Sequence, residues 1–144
     1  MAGDAGVVLM LENCSGWAAS TPERFGQFLA EVDSPSVRAV FDTGNPASHH
    51  KGDPRVLDWF EAAKPYLAHV HIKDHTGRTD DIEPRHLWPG EGVCRVAEIL
   101  AKLRELHYEG FLSIEPHLGI HPDHATKMET YLEYGERMKR LLGT

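Results

Sequence analysis

The sequence predicts an α/β fold of four consecutive strand–helix units with parallel strands. Short, almost wholly apolar runs begin at positions 7, 37, 67 and 111, and each precedes a segment whose apolar residues recur at helical spacing. The starts lie 30, 30 and 44 residues apart, and a βαβ unit takes roughly 30 residues. Such alternation makes the helices right-handed crossovers between neighbouring parallel strands.

The first unit opens with Val7-Val8-Leu9-Met10-Leu11, the pattern of a strand buried on both faces, and ends at Glu12-Asn13. Thr21-Pro22 then supplies an N-cap and a proline at the first helical position, with Phe25, Phe28, Leu29 and Val32 on one face. The second unit runs Val37 to Phe41 into Asp42-Thr43-Gly44-Asn45, and Asp53-Pro54 opens a helix that buries Val56, Leu57 and Phe60. The third strand, Leu67 to Ile72, passes into Lys73-Asp74 and a long polar loop, His75 to Glu91. A helix with Val96, Ile99, Leu100 and Leu103 on one face follows. Gly110 closes that connection, Phe111 to Ile114 form the fourth strand, and a helix from about Pro122 to Leu142 presents Met128, Tyr131, Leu132, Gly135 and Met138 on one face. Nothing between residues 1 and 144 reads as a linker, so the chain is expected to form a single domain.

Composition narrows the function. A formal charge of −7 gives no positive field to hold a polyphosphate backbone, so small polar metabolites fit better than nucleic acid. Two cysteines, Cys14 and Cys94, make neither a disulfide framework nor a paired-cysteine zinc motif, which suits a reducing cytoplasm. Met1-Ala2-Gly3-Asp4 is no basic leader and no apolar run approaches the roughly 18 residues that span a bilayer, so neither export nor membrane insertion is expected.

Each strand ends at a group able to bind a divalent cation: Glu12, Asp42, His71 and Glu115. In parallel α/β sheets the C-terminal strand ends open onto one face, so four such groups on adjacent strands can converge without help from the loops. A lone acidic residue at a strand end is often a helix cap. Three carboxylates brought together without a cation would be costly, however, which favours a metal for the set. Three carboxylates and an imidazole suit Mn²⁺ or Mg²⁺ first, with Co²⁺ and Zn²⁺ as alternatives. His69 and His71 share a face of their strand. His71 lies nearer the strand end and is the expected ligand; His69 either contacts substrate or is a hydrogen-bonded core histidine.

Taken together, Leu11-Glu12-Asn13, Phe41-Asp42-Thr43-Gly44-Asn45, His69-Val70-His71-Ile72-Lys73-Asp74, Gly90-Glu91-Gly92 and Ser113-Ile114-Glu115-Pro116-His117 resemble the xylose isomerase-like TIM barrel superfamily, in its sugar phosphate isomerase/epimerase branch. The resemblance implies that the four units are strands five to eight of a (β/α)8 barrel, a half barrel. It implies a divalent-metal-dependent sugar or sugar phosphate isomerase or epimerase, with the metal on Glu12, Asp42, His71 and Glu115. Glu12 and Glu115 would also be the acid/base pair that shuttles a proton through a metal-bound enediolate. Asn45 stands where the ketose 3-epimerases carry a substrate-binding histidine, and Ala18 where they carry a glutamate. Lys73, Arg78, Trp88 and His117 stand on loops placed to touch a polar or anionic substrate such as a sugar or hydroxy-ketone. Trp88-Pro89-Gly90-Glu91-Gly92 precedes a helix and either offers backbone N–H groups to an anion or simply makes a tight turn.

The same resemblance admits a lyase that expels water from the same intermediate, an abasic-site endonuclease, or a non-catalytic half-barrel metal-binding module. A half barrel leaves apolar strand edges to be covered, so self-association is expected, with a homodimer that closes the ring as one form of it.

Overall fold

The computed structural model describes residues 2–81, 83–119 and 122–144. Four strands, β1 (Leu9–Glu12), β2 (Val37–Asp42), β3 (Leu67–Ile72) and, after an excursion, β6 (Leu112–Ile114), form one parallel sheet in the order β1-β2-β3-β6. The excursion contains a two-stranded antiparallel ribbon of β4 (Asp74–His75) and β5 (His86–Leu87). Helices α1 (Pro22–Val32), α3 (Val56–Ala63), α4 (Val96–Glu105) and α5 (Lys127–Leu142) are the crossovers and the closing helix. A one-turn helix, α2 (Asn45–His49), follows β2 directly. This is an α/β fold matching part of a TIM barrel.

The core lies between the sheet and the helices. Phe25 of α1 meets Trp59 of α3 edge-on, with ring centroids 5.8 Å apart, and Phe41 of β2 meets Phe60 at 5.5 Å. Val70 and Ile72 point from β3 to the helix side, and Ile99, Leu100 and Leu103 of α4 complete the layer. Because β3 alternates, His69 and His71 are left on the opposite face.

Four expectations are corrected. Residues 7–10 are about half exposed, although their sequence reads as a strand buried on both faces: nothing in the described chain packs on the outer side of β1. Helix α3 starts at Val56 because Arg55 adopts a left-handed φ of 49°; Asp53 reaches only the Arg55 N–H. Helix α5 starts after Thr126, whose hydroxyl and Glu129 form a reciprocal capping box, rather than near Pro122. Its buried stripe is Thr130, Tyr134 and Met138, whereas Met128 and Leu132 are largely exposed.

The 88–94 loop is fastened from within. The buried Asp74 carboxylate accepts from the N–H groups of His75 and Cys94 on Oδ1, at 2.9 and 3.2 Å, and of Gly90 and Gly92 on Oδ2, at 2.8 and 3.0 Å. The loop does receive an anion on its backbone donors, but the anion is the protein's own side chain. A Cβ at Gly92 would stand 2.2 Å from Asp74 Oδ1, so this approach requires glycine.

Candidate metal centre

The parallel register staggers the strand ends: Glu12 pairs with Val40, two residues short of Asp42, Asp42 and His71 stand level, and Glu115 lies two residues beyond the partner of His71. Asp42 pairs with His71 across β2 and β3, His71 with Ser113 across β3 and β6, and the Glu115 N–H donates to the Ile72 carbonyl just beyond β6. Glu12 ends β1. One ligand atom from each of Glu12, Asp42, His71 and Glu115 lies within 4.8 Å of all the others. His71 Nδ1 is 3.6 Å from Glu12 Oε1, 3.7 Å from Glu115 Oε1 and 3.9 Å from Asp42 Oδ2. Groups each about 2.1 Å from a shared ion stand roughly 3 to 4 Å from one another, so these spacings are of the right order.

Asp42 shows why both readings of a strand-end carboxylate apply at once. Its Oδ1 accepts from the N–H groups of Gly44 and Asn45, at 2.8 and 2.7 Å, and so starts α2. Its Oδ2 faces the cluster. His71 Nδ1 is buried with no hydrogen-bond partner, and Asp42 Oδ2, which accepts no hydrogen bond in good geometry, has the Lys73 ammonium 3.0 Å away; a divalent cation between them would engage both atoms. The donor set therefore fits a divalent ion.

Three neighbours brace the cluster and its surroundings. Asn13 pairs with the Asp42 backbone in both directions, Nδ2 donating to the carbonyl at 2.9 Å and Oδ1 accepting from the N–H at 2.7 Å. Thr43 Oγ1 donates to the Lys73 carbonyl at 2.6 Å and accepts from the Lys73 N–H at 2.9 Å. Asn45 Nδ2 donates to Glu12 Oε1 at 2.8 Å. Asn13 and Thr43 went unread in the sequence, where amide and hydroxyl residues after a strand look like ordinary loop chemistry.

Lys73 is buried, not on an open loop. Its Nζ lies 2.7 Å from Glu115 Oε2, 3.0 Å from Asp42 Oδ2 and 3.0 Å from Asn45 Oδ1. Gly44 makes room for it, since a Cβ there would meet the lysine side chain at 2.6 Å. Burial opposes the ammonium, but the Asp42 and Glu115 carboxylates outweigh it and hold Lys73 above the ordinary lysine range. Burial pushes the Asp42 carboxyl up, with Lys73 offsetting part of the rise. At Glu115 burial is overcome by the hydrogen bond and charge of Lys73, and the carboxyl falls below its usual value.

The remaining predicted contacts divide. His117 Nε2 stands 3.3 Å from Glu115 Oε2, with its side chain half exposed. His69 lies against His71 with ring centroids 5.2 Å apart, and its Nε2 bonds Ser113 Oγ at 2.8 Å, the arrangement of a hydrogen-bonded interior histidine. Trp88 packs on α5 at the edge of the core, 6.0 Å from the Tyr134 ring and with the Arg137 guanidinium 4.4 Å over its face. Arg78 is exposed and donates to the Ser48 carbonyl at 3.3 Å. His86, unread in the sequence, sits between His75 and His117 at 5.0 and 5.1 Å, and burial followed by those two neighbours pushes it down to about 4.

The sequence profile of the xylose isomerase-like TIM barrels matches residues 1–135. The chain belongs to this family. The uncharacterized protein MJ1311 of Methanocaldococcus jannaschii is 32% identical over 119 residues, 80% of this chain and 39% of that protein. The fructoselysine 3-epimerase of Escherichia coli O157:H7 is 31% identical over 87 residues, 60% of this chain and 29% of the enzyme. A xylose isomerase-like TIM barrel protein from Mycobacterium smegmatis, solved in complex with magnesium, superposes with a TM-score of 0.75 at 22% identity, over 97% of this chain and 45% of its own. The chain thus spans well under half the length of the curated relatives it matches. No helix of the described residues is long and apolar enough to cross a membrane.

Proposed function

We propose that this chain carries the metal-binding half of an isomerase or epimerase that moves a proton on the carbon beside a sugar carbonyl. The observation that carries this reading is the convergence of Glu12, Asp42, His71 and Glu115 on one point, with His71 Nδ1 buried and without a hydrogen-bond partner. Its likeness to a fructoselysine 3-epimerase points to a small polar substrate of the sugar class.

Those four residues would hold a divalent ion, Mn²⁺ or Mg²⁺ in first place. The M. smegmatis barrel was solved with magnesium. Such an ion supplies charge stabilisation for the oxyanion that forms when a carbon acid loses its proton. Glu12 and Glu115 are the acid/base pair in this reading. Asn45 holds Glu12 by one oxygen, and Glu115 turns Oε1 to the cluster and Oε2 to Lys73 and His117. His117 links that second oxygen to solvent and is placed to pass protons on.

Exchange of the substrate's α-proton in deuterated buffer tests the reaction. Incorporation of one deuterium into a ketose, without loss of water, is the expected result. Loss of water from the product would make the chain a lyase, and no exchange with any ketose or keto-sugar in the presence of metal would leave a binding module.

The exposed apolar residues 7–10 at the β1 edge, with exposed Phe111 at the start of the β6 edge strand, further support closure of the barrel by a second copy. Light scattering is expected to give twice the 16.1 kDa chain mass, and Leu9→Lys to return it to one. A wild-type monomer at micromolar concentration contradicts this.

A further inference from the structure

We infer that Lys73 is a resident counter-ion that sets the charge of the cation the site accepts at two. The inference rests on the metal-site reading above. Glu12, Asp42 and Glu115 bring three negative charges to one point, and a ligating imidazole is neutral. Lys73 Nζ, buried with its side chain 4% exposed, contacts two of those carboxylates directly. It cancels one of the three charges and leaves two.

The geometry allows the ammonium to stay when an ion is present. The atoms around His71 Nδ1 are Glu12 Oε1, Asp42 Oδ2 and Glu115 Oε1, whereas Lys73 takes the other oxygen of Glu115 and shares only Asp42 Oδ2. Asn45 Oδ1 receives a third bond from Nζ at 3.0 Å, and Thr43 holds the Lys73 backbone from both sides. The lysine is clamped at its main chain and its tip, an arrangement suited to a fixed charge rather than a mobile arm that greets substrate.

Interactions between charges a few ångströms apart in a protein are large, and a site left with an unbalanced charge is penalised. With Lys73 in place a divalent ion brings the cluster to neutrality. A trivalent ion leaves an excess positive charge. Replacing the lysine by a neutral residue therefore strengthens binding of both, and of the trivalent ion more.

The test is to measure Mn²⁺ and Tb³⁺ affinities of the wild-type protein, Lys73→Met and Lys73→Arg. Wild type is expected to bind one Mn²⁺; in Lys73→Met the Tb³⁺ affinity is expected to rise at least tenfold more than the Mn²⁺ affinity. Lys73→Arg, which keeps the charge, is expected to retain the wild-type ratio. If Lys73→Met does not fold without metal, the ratio is read from Lys73→Gln, which keeps hydrogen-bond donors for Glu115 and Asn45 while removing the charge. A Tb³⁺/Mn²⁺ ratio that stays within threefold of wild type in a folded neutral variant, or a Tb³⁺ affinity that falls, overturns the inference and leaves the metal site standing. A wild-type protein that binds neither ion removes both.

Discussion

Asp42→Asn is expected to lower Mn²⁺ affinity by more than the ~10 to 100-fold that follows loss of a group outside the ligand set, and to do so without unfolding the protein. Asparagine keeps an oxygen where Asp42 Oδ1 receives the Gly44 and Asn45 N–H groups, so α2 retains its start. What disappears is the charge on Oδ2, at a side chain with no exposure at all.

The stabilities of the two proteins should consequently cross. The Asp42 carboxyl titrates above the ordinary aspartate range because burial disfavours its charged form. A group raised in the folded state contributes its stability below its unfolded pKa and loses it as pH rises through the folded one, so at neutral pH charged Asp42 is a cost in metal-free protein. With chelator present, Asp42→Asn is expected to melt at or above the wild type; with saturating Mn²⁺, wild type melts higher. The same upward shift means that metal affinity declines on acidification from a pH above the ~3.9 of a free aspartate. Melting curves across pH with and without Mn²⁺ check both, and a chelated Asp42→Asn protein several degrees less stable than wild type contradicts the account.

Glu115→Gln and Glu12→Gln are expected to reduce α-proton exchange by about 100 to 10,000-fold each, the usual contribution of a positioned acid or base. Both residues are also candidate ligands, so each variant is compared at saturating metal, where a defect in binding is separated from one in proton transfer. His117→Gln, one step removed from the reacting carbon, is expected to slow exchange far less and to weaken metal binding little. Equal effects of all three at saturating metal would mean that the glutamates act only by holding the site together.

Much of this arrangement was legible in the sequence because the signals are local. Apolar runs ending in Glu12, Asp42 and His71 mark three strands and where each stops, whereas the stagger between them, with Glu12 opposite Val40 and Asp42 opposite His71, comes only from the strand pairing. Period-two alternation also puts residues 69, 71 and 73 on one face, so Lys73 could have been placed beside His71 rather than on an open loop. The Thr126–Glu129 spacing likewise announces the true start of α5. Other features depend on distant partners and leave no local trace. The turn of α2 exists because a carboxylate from β2 caps it, and Asn-Pro-Ala-Ser-His has no apolar period of its own. The packing of Trp88 on Tyr134 and Arg137, more than 40 positions later, is likewise invisible in its glycine-bounded loop. The exposure of residues 7–10 reflects what is not packed against β1, and an apolar run carries no record of that.

In this reading Glu12, Asp42, His71 and Glu115 together hold one divalent ion. Elemental analysis of wild-type protein purified without chelator, after exchange into excess Mn²⁺ and removal of unbound ion, tests it most directly. The account predicts close to one metal ion per chain, absent from His71→Ala protein treated in the same way. A folded wild-type protein that stays empty when supplied with Mn²⁺, Mg²⁺, Co²⁺ or Zn²⁺ would contradict it.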